Sequence, residues 1–153
     1  MDVTDNHPHP PCSIRPAKPE DYAKITEVWR QCRLEVQYHG RESESAFRRQ
    51  LEQFPDLFLV ACDGPRIVGV VLGSHDHRKG WINRLAVAPE YQRRGLAVAL
   101  VDACEKAIQA EGIEIVAALL APENKVSGAL FEKLGYRTDV PVRYYRKVSR
   151  PEA

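Results

Sequence analysis

The sequence predicts one α/β domain in which helices cover both faces of a mixed β-sheet. Apolar segments of strand length alternate with longer segments whose apolar residues recur at helical spacing. Asp63-Gly64 lies between two apolar segments and is a strong signal for an antiparallel hairpin. In the middle of the chain a long helical pattern separates two strand patterns, as a β-α-β unit requires. The predicted order is β-α-α-β-β-β-α-β-α-β-β.

The first half of the domain is predicted to hold one strand, two helices and a hairpin. A short strand at 13–17 ends in a proline-rich turn. Pro19 and two acids begin the first helix, and its apolar face recurs at helical spacing as far as Cys32. A second helix spans 44–54 and stops at a proline. The hairpin pairs strands that we expect at 57–62 and 66–73, on either side of the Asp-Gly turn.

The second half begins with a strand at 81–88, after a polar turn. A long helix from about Arg94 to Ala110 follows and ends at a glycine. The apolar segment 113–120 is predicted to be a strand at the centre of the sheet, because it lacks polar alternation. The remaining predicted elements are a helix at 124–134 and two last strands at 136–139 and 142–147.

Length and composition point to an ordinary soluble domain. The chain has 153 residues, of which 44% are hydrophobic and 28% charged. Its net charge of +1 favours neither a nucleic acid nor a membrane partner. We expect a disordered tail at 1–11 with no signal peptide, a single domain at 12–148 and a short tail at 149–153. The four cysteines form no C-x-x-C pair, which favours reduced thiols and a cytoplasmic location.

The most informative segment lies where the 81–88 strand gives way to the long helix. It reads Gln92-Arg-Arg-Gly-Leu-Ala97. A helix start leaves several N–H groups without partners, and its dipole makes that end positive. Small residues at Gly95 and Ala97 let an anion approach the backbone, and Arg93 and Arg94 add positive charge. The segment therefore predicts a site for a diphosphate.

Two motifs in this order resemble the GNAT family of acyl-CoA-dependent N-acetyltransferases. The first is the pyrophosphate loop, usually R/Q-x-x-G-x-G/A, which is Gln92–Ala97 here. The second is N-x-x-(A/S)-x-x-L-(Y/F)-x-x-x-G-(F/Y), which here runs from Asn124 to Tyr136. The resemblance covers roughly residues 12–148. It implies the GNAT fold, in which the two strands flanking the long helix splay apart.

The resemblance also implies how coenzyme A would bind. The pantetheine arm would enter between the splayed strands and pair with exposed backbone, and the N–H groups of the loop would hold the pyrophosphate. The N–H of Leu85 would then polarise the thioester carbonyl as an oxyanion hole. The residues implied in binding coenzyme A are Leu85, Ala86, Val87, Gln92, Arg93, Arg94, Gly95, Leu96, Ala97, Asn124, Ser127 and Phe131.

The sequence departs from the family at Phe131, where many members have a tyrosine that protonates the departing thiolate. An unperturbed thiol has a pKa of about 8.5, so a thiolate can leave near neutral pH without an acid. The alternative donors are Tyr136, Tyr144 and Tyr145. A general base is expected in the segment joining the first two helices, where the candidates are Glu35, His39, Glu42 and Glu44. The catalytic candidates we favour are the Leu85 N–H, Glu44, Tyr136 and Tyr144.

The function that these features predict is acetyl transfer from acetyl-CoA to a primary amine, by direct attack in a ternary complex. A small-molecule or peptide amine is the expected acceptor, and its identity stays open, as does homodimerisation. The alternative is a non-catalytic module that binds acyl-CoA. We expect no metal: His75-Asp76-His77 looks like a solvated hairpin tip, because two histidines alone do not make a site.

Overall fold

The computed structural model describes residues 12–138 and 141–153, so the tail expected at 1–11 lies outside the described residues. Five strands form one sheet in the order β1-β2-β3-β4-β5. Neighbours from β1 to β4 are antiparallel, whereas β4 and β5 are parallel. The strands are β1 (Ser13–Pro16), β2 (Phe58–Asp63), β3 (Arg66–His75), β4 (Gly80–Val87) and β5 (Val116–Ala118). The helices are α1 (Tyr22–Gln31), α2 (Glu44–Gln53), α3 (Leu96–Ala110) and α4 (Lys125–Lys133).

Helices cover both faces of the sheet, as the sequence predicts. Alternate residues of β2 point to opposite faces, so Phe58 and Val60 pack with α1 and α2 while Leu59 and Ala61 pack with α3. The hairpin turn is also confirmed, with Gly64 at a φ of 56°. The predicted fold class of a mixed sheet with helices on both faces is therefore correct. None of the described helices is long and apolar enough to cross a membrane.

Helix α3 lies very close to the sheet. A Cβ placed on Gly73 would come within 2.7 Å of Cys104 Sγ, and one on Gly80 within 2.4 Å of Ile108 Cγ2. Glycines at these two strand positions therefore let the helix approach the backbone. The close contact fixes α3, and with it the segment just before the helix, relative to the sheet.

The C-terminal part of the predicted order differs from the structure. The strand expected at 113–120 is only Val116–Ala118, and it lies at the edge of the described sheet rather than at its centre. The strands expected at 136–139 and 142–147 are absent from residues 136–138 and 141–153. Residues 139 and 140 are not described. A strand needs a neighbouring strand for its backbone hydrogen bonds. Tyr144 and Tyr145, in the last expected strand, are instead exposed at 74% and 83%.

Strands β4 and β5 stay together for only three residue pairs. The register runs from Gly80↔Val116 to Ile82↔Ala118 and then ends, while β4 continues to Val87. The second half of β4 therefore has no β5 residue beside it within the described chain. The splayed central strands expected from the family resemblance are present.

Candidate active site

The segment before α3 has the geometry of an anion site. Gly95 is the N-cap of the helix at a φ of 77°, a left-handed conformation that favours glycine. The first capping bond is donated by Ala99 to Gly95, and within the described chain the N–H groups of Gly95–Val98 have no acceptor. A Cβ added at Gly95 would meet nothing within 4 Å, so the space in front of these donors is open. Unpaired N–H groups and the exposed Arg93 and Arg94 together suit a diphosphate.

Neighbouring side chains hold this segment against the sheet. Gln92 Nε2 donates to the Val87 carbonyl at 3.0 Å, which ties the segment back to the end of β4. The Tyr91 ring lies near two guanidinium groups, with Arg94 Cζ 5.2 Å and Arg66 Cζ 5.3 Å from its centroid. The cationic side of the site is therefore supported by packing as well as by the backbone.

Strand β4 bulges where it leaves β5. Its register with β3 shifts between Asn83 and Ala86, so Arg84 and Leu85 lie opposite a single residue. Arg84 has a φ of 54°, which is rare for a residue with a side chain. The Arg84 carbonyl accepts from Trp29 Nε1 at 3.3 Å, and this bond from α1 supports the bulge. Main-chain groups at Leu85 are thereby turned out of the regular ladder.

A cavity of about 180 Å³ opens beside this bulge, and we call it the splay cavity. Asn124 lies at its rim and caps α4, since its Oδ1 accepts from the Ser127 N–H at 3.2 Å. Phe131 is buried, with 5% exposed, and lines the cavity from α4. The lining residues are Leu34, Ile82, Asn83, Arg84, Leu85, Leu119, Leu120, Ala121, Asn124, Ser127 and Phe131.

Residues 22–136 match the model of the Acetyltransferase (GNAT) family. The chain belongs to the GNAT acetyltransferase family. It is 33% identical over 125 residues to an acetyltransferase of Pectobacterium atrosepticum, covering 82% of this chain and 87% of the relative. An acetyltransferase of Photorhabdus laumondii is 32% identical over 123 residues, covering 80% of this chain and 85% of the relative. The chain is accordingly an acetyltransferase.

Solved structures confirm the GNAT fold. Ard1 from Thermoplasma volcanium aligns with a TM-score of 0.72 at 20% identity, over 82% of each chain. The PaiA N-acetyltransferase of Thermoplasma acidophilum, solved in complex with coenzyme A, aligns with a TM-score of 0.70 at 20% identity. That alignment covers 82% of this chain and 89% of the PaiA chain.

In this GNAT protein the three side chains named as catalytic candidates lie away from the splay cavity. Glu44 is on the exposed first turn of α2 and pairs with Arg48 at 3.1 Å. The Tyr136 hydroxyl donates to Glu105 at 2.7 Å, and burial followed by this carboxylate raises the pKa of Tyr136. Tyr144 is exposed. None of the three lines the cavity, whereas Leu85 does.

A larger cavity, of about 580 Å³, lies on the other side of Phe131. It runs along β5 and α4, and Tyr136 and Glu105 line it. It shares Phe131 and Leu120 with the splay cavity but contains neither the bulge nor the diphosphate segment. It lies at the outer edge of β5, with which no strand of the described residues pairs.

The segment between α1 and α2, in which a general base is expected, borders the splay cavity through Leu34. The Glu42 carboxylate is almost fully buried, but it accepts from the Gln37 N–H at 2.8 Å and from Arg41 at 3.0 Å. The Glu35 side chain accepts from Gln37 and is exposed. These acids hold the segment together, and neither carboxylate lines the cavity.

His75 and Cys104 have structural roles. The His75 ring pairs with Glu111 and packs edge-on against Phe54. Within the described residues there is no group of three or more metal-ligating side chains. Burial raises the pKa of Cys104 to about 12, which fits a thiol packed as a small apolar group.

Sequence reasoning missed part of the cavity wall. Leu34 and the residues after β5 line the cavity, although no motif marks them. The contact between Trp29 and Arg84 was also missed, because it joins helix α1 to β4 across 55 residues of sequence. A signal was available only for Trp29, whose helical spacing predicts that it faces the sheet.

Proposed function

We propose that this GNAT protein transfers an acetyl group from acetyl-CoA to a primary amine by direct attack in a ternary complex. The observation that supports this most strongly is the parting of β4 from β5 after Ile82. It opens a cavity beside the part of β4 that β5 does not pair, and the unpaired N–H groups of Gly95–Val98 lie a short turn after β4 in the chain. A thioester in the cavity and a diphosphate at the helix start can then belong to one ligand.

In this proposal the backbone does most of the binding. The N–H groups of Arg93–Val98 bind the pyrophosphate, with charge support from Arg93 and Arg94. The pantetheine arm lies along Leu85–Val87. The side chains of Asn124, Ser127 and Phe131 form the opposite wall, and the Asn124 amide nitrogen is available to donate while its oxygen caps α4.

The proposed reaction needs few side chains. The neutral amine nitrogen attacks the thioester carbonyl, and the Leu85 N–H stabilises the oxyanion. The nitrogen then loses a proton to water, and the C–S bond breaks to give the amide and the thiolate of coenzyme A. No acid is required at Phe131, because the thiolate is a good leaving group near neutral pH. No cysteine is among the described residues that line the splay cavity, which favours direct attack over an acetylated enzyme.

The amine must lose a proton before it attacks. None of the described residues that line the splay cavity carries a carboxylate or an imidazole. We therefore propose that the amine is deprotonated by water and reacts from its neutral form. The reaction is then expected to accelerate as the pH approaches the pKa of the acceptor amine.

The acceptor is proposed to be a small-molecule or peptide amine, and the enzyme is proposed to act in the cytoplasm. Cys62 and Cys104 are buried free thiols, which suits a reducing compartment. Cell fractionation with a marker for each compartment checks the location. Size-exclusion chromatography with light scattering checks for the homodimer that the family resemblance allows.

The test combines binding and turnover. Saturating acetyl-CoA is expected to raise the melting temperature, and Gly95→Glu is expected to remove this shift by placing a negative charge in the diphosphate site. Thiol release from acetyl-CoA with mixed amine pools is expected in the wild type and not in Gly95→Glu. Absence of a shift at millimolar acetyl-CoA would contradict the proposal. A shift without thiol release for any amine would instead indicate a non-catalytic acyl-CoA module.

A further inference from the structure

Two described arginines are not exposed, Arg15 and Arg84, and they differ in their partners, since Arg15 binds Asp21. Arg84 is half-buried, and burial lowers the pKa of its guanidinium. Within the described chain no carboxylate lies within 4 Å of it. A cation taken out of water without an anionic partner is unfavourable. The arginines that do contact a carboxylate at this range are Arg15, Arg30, Arg41, Arg48, Arg66 and Arg150.

The guanidinium is held in one orientation. Its Cζ lies 4.4 Å from the centroid of the Trp29 ring, and Nη2 donates to the Glu35 carbonyl at 2.9 Å. The Nε is buried and has no acceptor among the described residues. Of the five donors of a guanidinium, one therefore has an acceptor among the described residues. The orientation is fixed from both ends, since Trp29 also binds the Arg84 carbonyl.

The nearby acids cannot easily supply the missing partner. Glu42 and Glu35 influence Arg84 only at a distance, and both carboxylates already accept hydrogen bonds from Gln37. Arg41, which binds Glu42, adds a second positive charge to the same region. It is therefore the unpaired donors of Arg84 that suit an anion from outside the chain.

We propose that Arg84 binds a carboxylate of the acceptor, so that the acceptor is a small amine that also carries a carboxylate. Arg84 lines the splay cavity next to Leu85, whose N–H is the proposed oxyanion donor. One small molecule can therefore place its amine at the thioester and its carboxylate at the guanidinium. The planar fork of a guanidinium matches a carboxylate. At about 180 Å³ the cavity suits a small acceptor. This inference rests on the proposed acetyl transfer.

The test compares two acceptor pools on matched variants. One pool contains small amino acids and the other contains their carboxamides. Arg84→Asn removes the charge while keeping a residue that tolerates a positive φ. Arg33→Asn is the control, because Arg33 has a φ of 58°, is exposed and does not line the cavity. Thiol release gives kcat/KM for each pool, and the ratio of wild type to variant cancels the difference in amine pKa between pools.

We expect Arg84→Asn to lower kcat/KM by about tenfold to a hundredfold for the amino acids and by less than about threefold for the carboxamides. Arg33→Asn should change neither. The inference would be overturned if Arg84→Asn lowered kcat/KM equally for both pools or for neither. It would also be overturned if the wild type acetylated neutral amines but not amino acids. Each of these results would leave acetyl transfer intact. Absence of thiol release with every amine would overturn acetyl transfer itself, and this inference with it.

A folding control keeps the comparison interpretable. The acetyl-CoA shift in melting temperature must be the same in Arg84→Asn as in the wild type, because Arg84 does not contact the diphosphate segment in this account. If Arg84→Asn does not fold, Arg84→Lys takes its place, since it keeps the charge and the apolar stem. Arg84→Lys should then retain only part of the discrimination, because an ammonium lacks the planar fork. The role of Arg84 would be refuted if Arg84→Lys discriminated between amino acids and carboxamides as fully as the wild type. It would also be refuted if the wild type did not discriminate between them.

Discussion

The left-handed conformation of Gly95 leads to the sharpest prediction about the diphosphate site. Alanine at a φ of 77° is disfavoured by about 1–2 kcal/mol, whereas asparagine tolerates this region better. Because a Cβ at this position meets nothing within 4 Å, the effect is conformational rather than a steric clash. Gly95→Ala and Gly95→Asn therefore separate backbone strain from the addition of a side chain.

The free-energy cost of alanine at position 95 can appear either in the stability of the protein or in its affinity for acetyl-CoA. If the loop keeps its conformation, Gly95→Ala lowers the melting temperature by about 2–8 °C, at about 2–4 °C for each kcal/mol in a chain of this size. If the free loop relaxes, the melting temperature is kept and the Kd for acetyl-CoA rises by about 5–30-fold, since about 1.4 kcal/mol corresponds to tenfold. Gly95→Asn should show a smaller sum of the two effects.

The assay is thermal unfolding with and without acetyl-CoA, together with calorimetric titration of each variant. The sum of the loss in unfolding free energy and the loss in binding free energy should be about 1–2 kcal/mol for Gly95→Ala. Unchanged stability together with unchanged affinity in Gly95→Ala would refute the reasoning. A loss in Gly95→Asn equal to that in Gly95→Ala would refute it as well.

Three further predictions concern the fold and the chemistry. Asp21→Asn should lower the free energy of unfolding by about 3 kcal/mol, because Asp21 is 4% exposed and binds Arg15 at 2.7 Å. The control is Asp102→Asn, in an exposed pair, which should cost less than about 1 kcal/mol. Urea unfolding measures both. Burial raises the pKa of Asp21, but the hydrogen bonds from Arg15 and a backbone N–H outweigh it and lower the pKa overall. The stability that Asp21 contributes is therefore present above about pH 4 and is lost on further acidification. A difference in unfolding free energy between wild type and Asp21→Asn that does not change with acid pH would contradict this. The kcat/KM for a lysine-like amine should rise with pH towards about 10, and a plateau near pH 7 would reveal a general base on the protein. Phe131→Tyr should raise kcat by less than about tenfold, because a thiolate of pKa about 8.5 needs little help to leave, and a hundredfold gain would show that an acid is missing.

The parts of the fold that the sequence predicts are those with a local cause. Alternation along 57–62 predicts a strand with two apolar faces, and the structure places Phe58 and Leu59 in different cores. The Asp63-Gly64 turn and the small residue before α3 are also local signals. Gly95 has the positive φ that a close anion site suggests.

The errors arise where distant segments decide the outcome. An apolar segment such as 113–120 reads the same whether it becomes a central strand or a short edge strand, because its neighbours are chosen by tertiary packing. The candidate site shows the same limit. The bulge at Arg84 depends on pairing with β3 and on the bond from Trp29, and neither is visible in the sequence around Arg84.

Hydrogen exchange of the backbone amides tests the central claim most directly, because the claim is that coenzyme A binds through unpaired N–H groups. In the free protein the amides of Gly95–Val98 have no acceptor within the described chain, so they should exchange quickly. Saturating acetyl-CoA should slow exchange at these amides and at Leu85, and should leave the exposed turn at 76–79 unchanged. Binding of acetyl-CoA that leaves Gly95–Val98 unprotected would contradict the account.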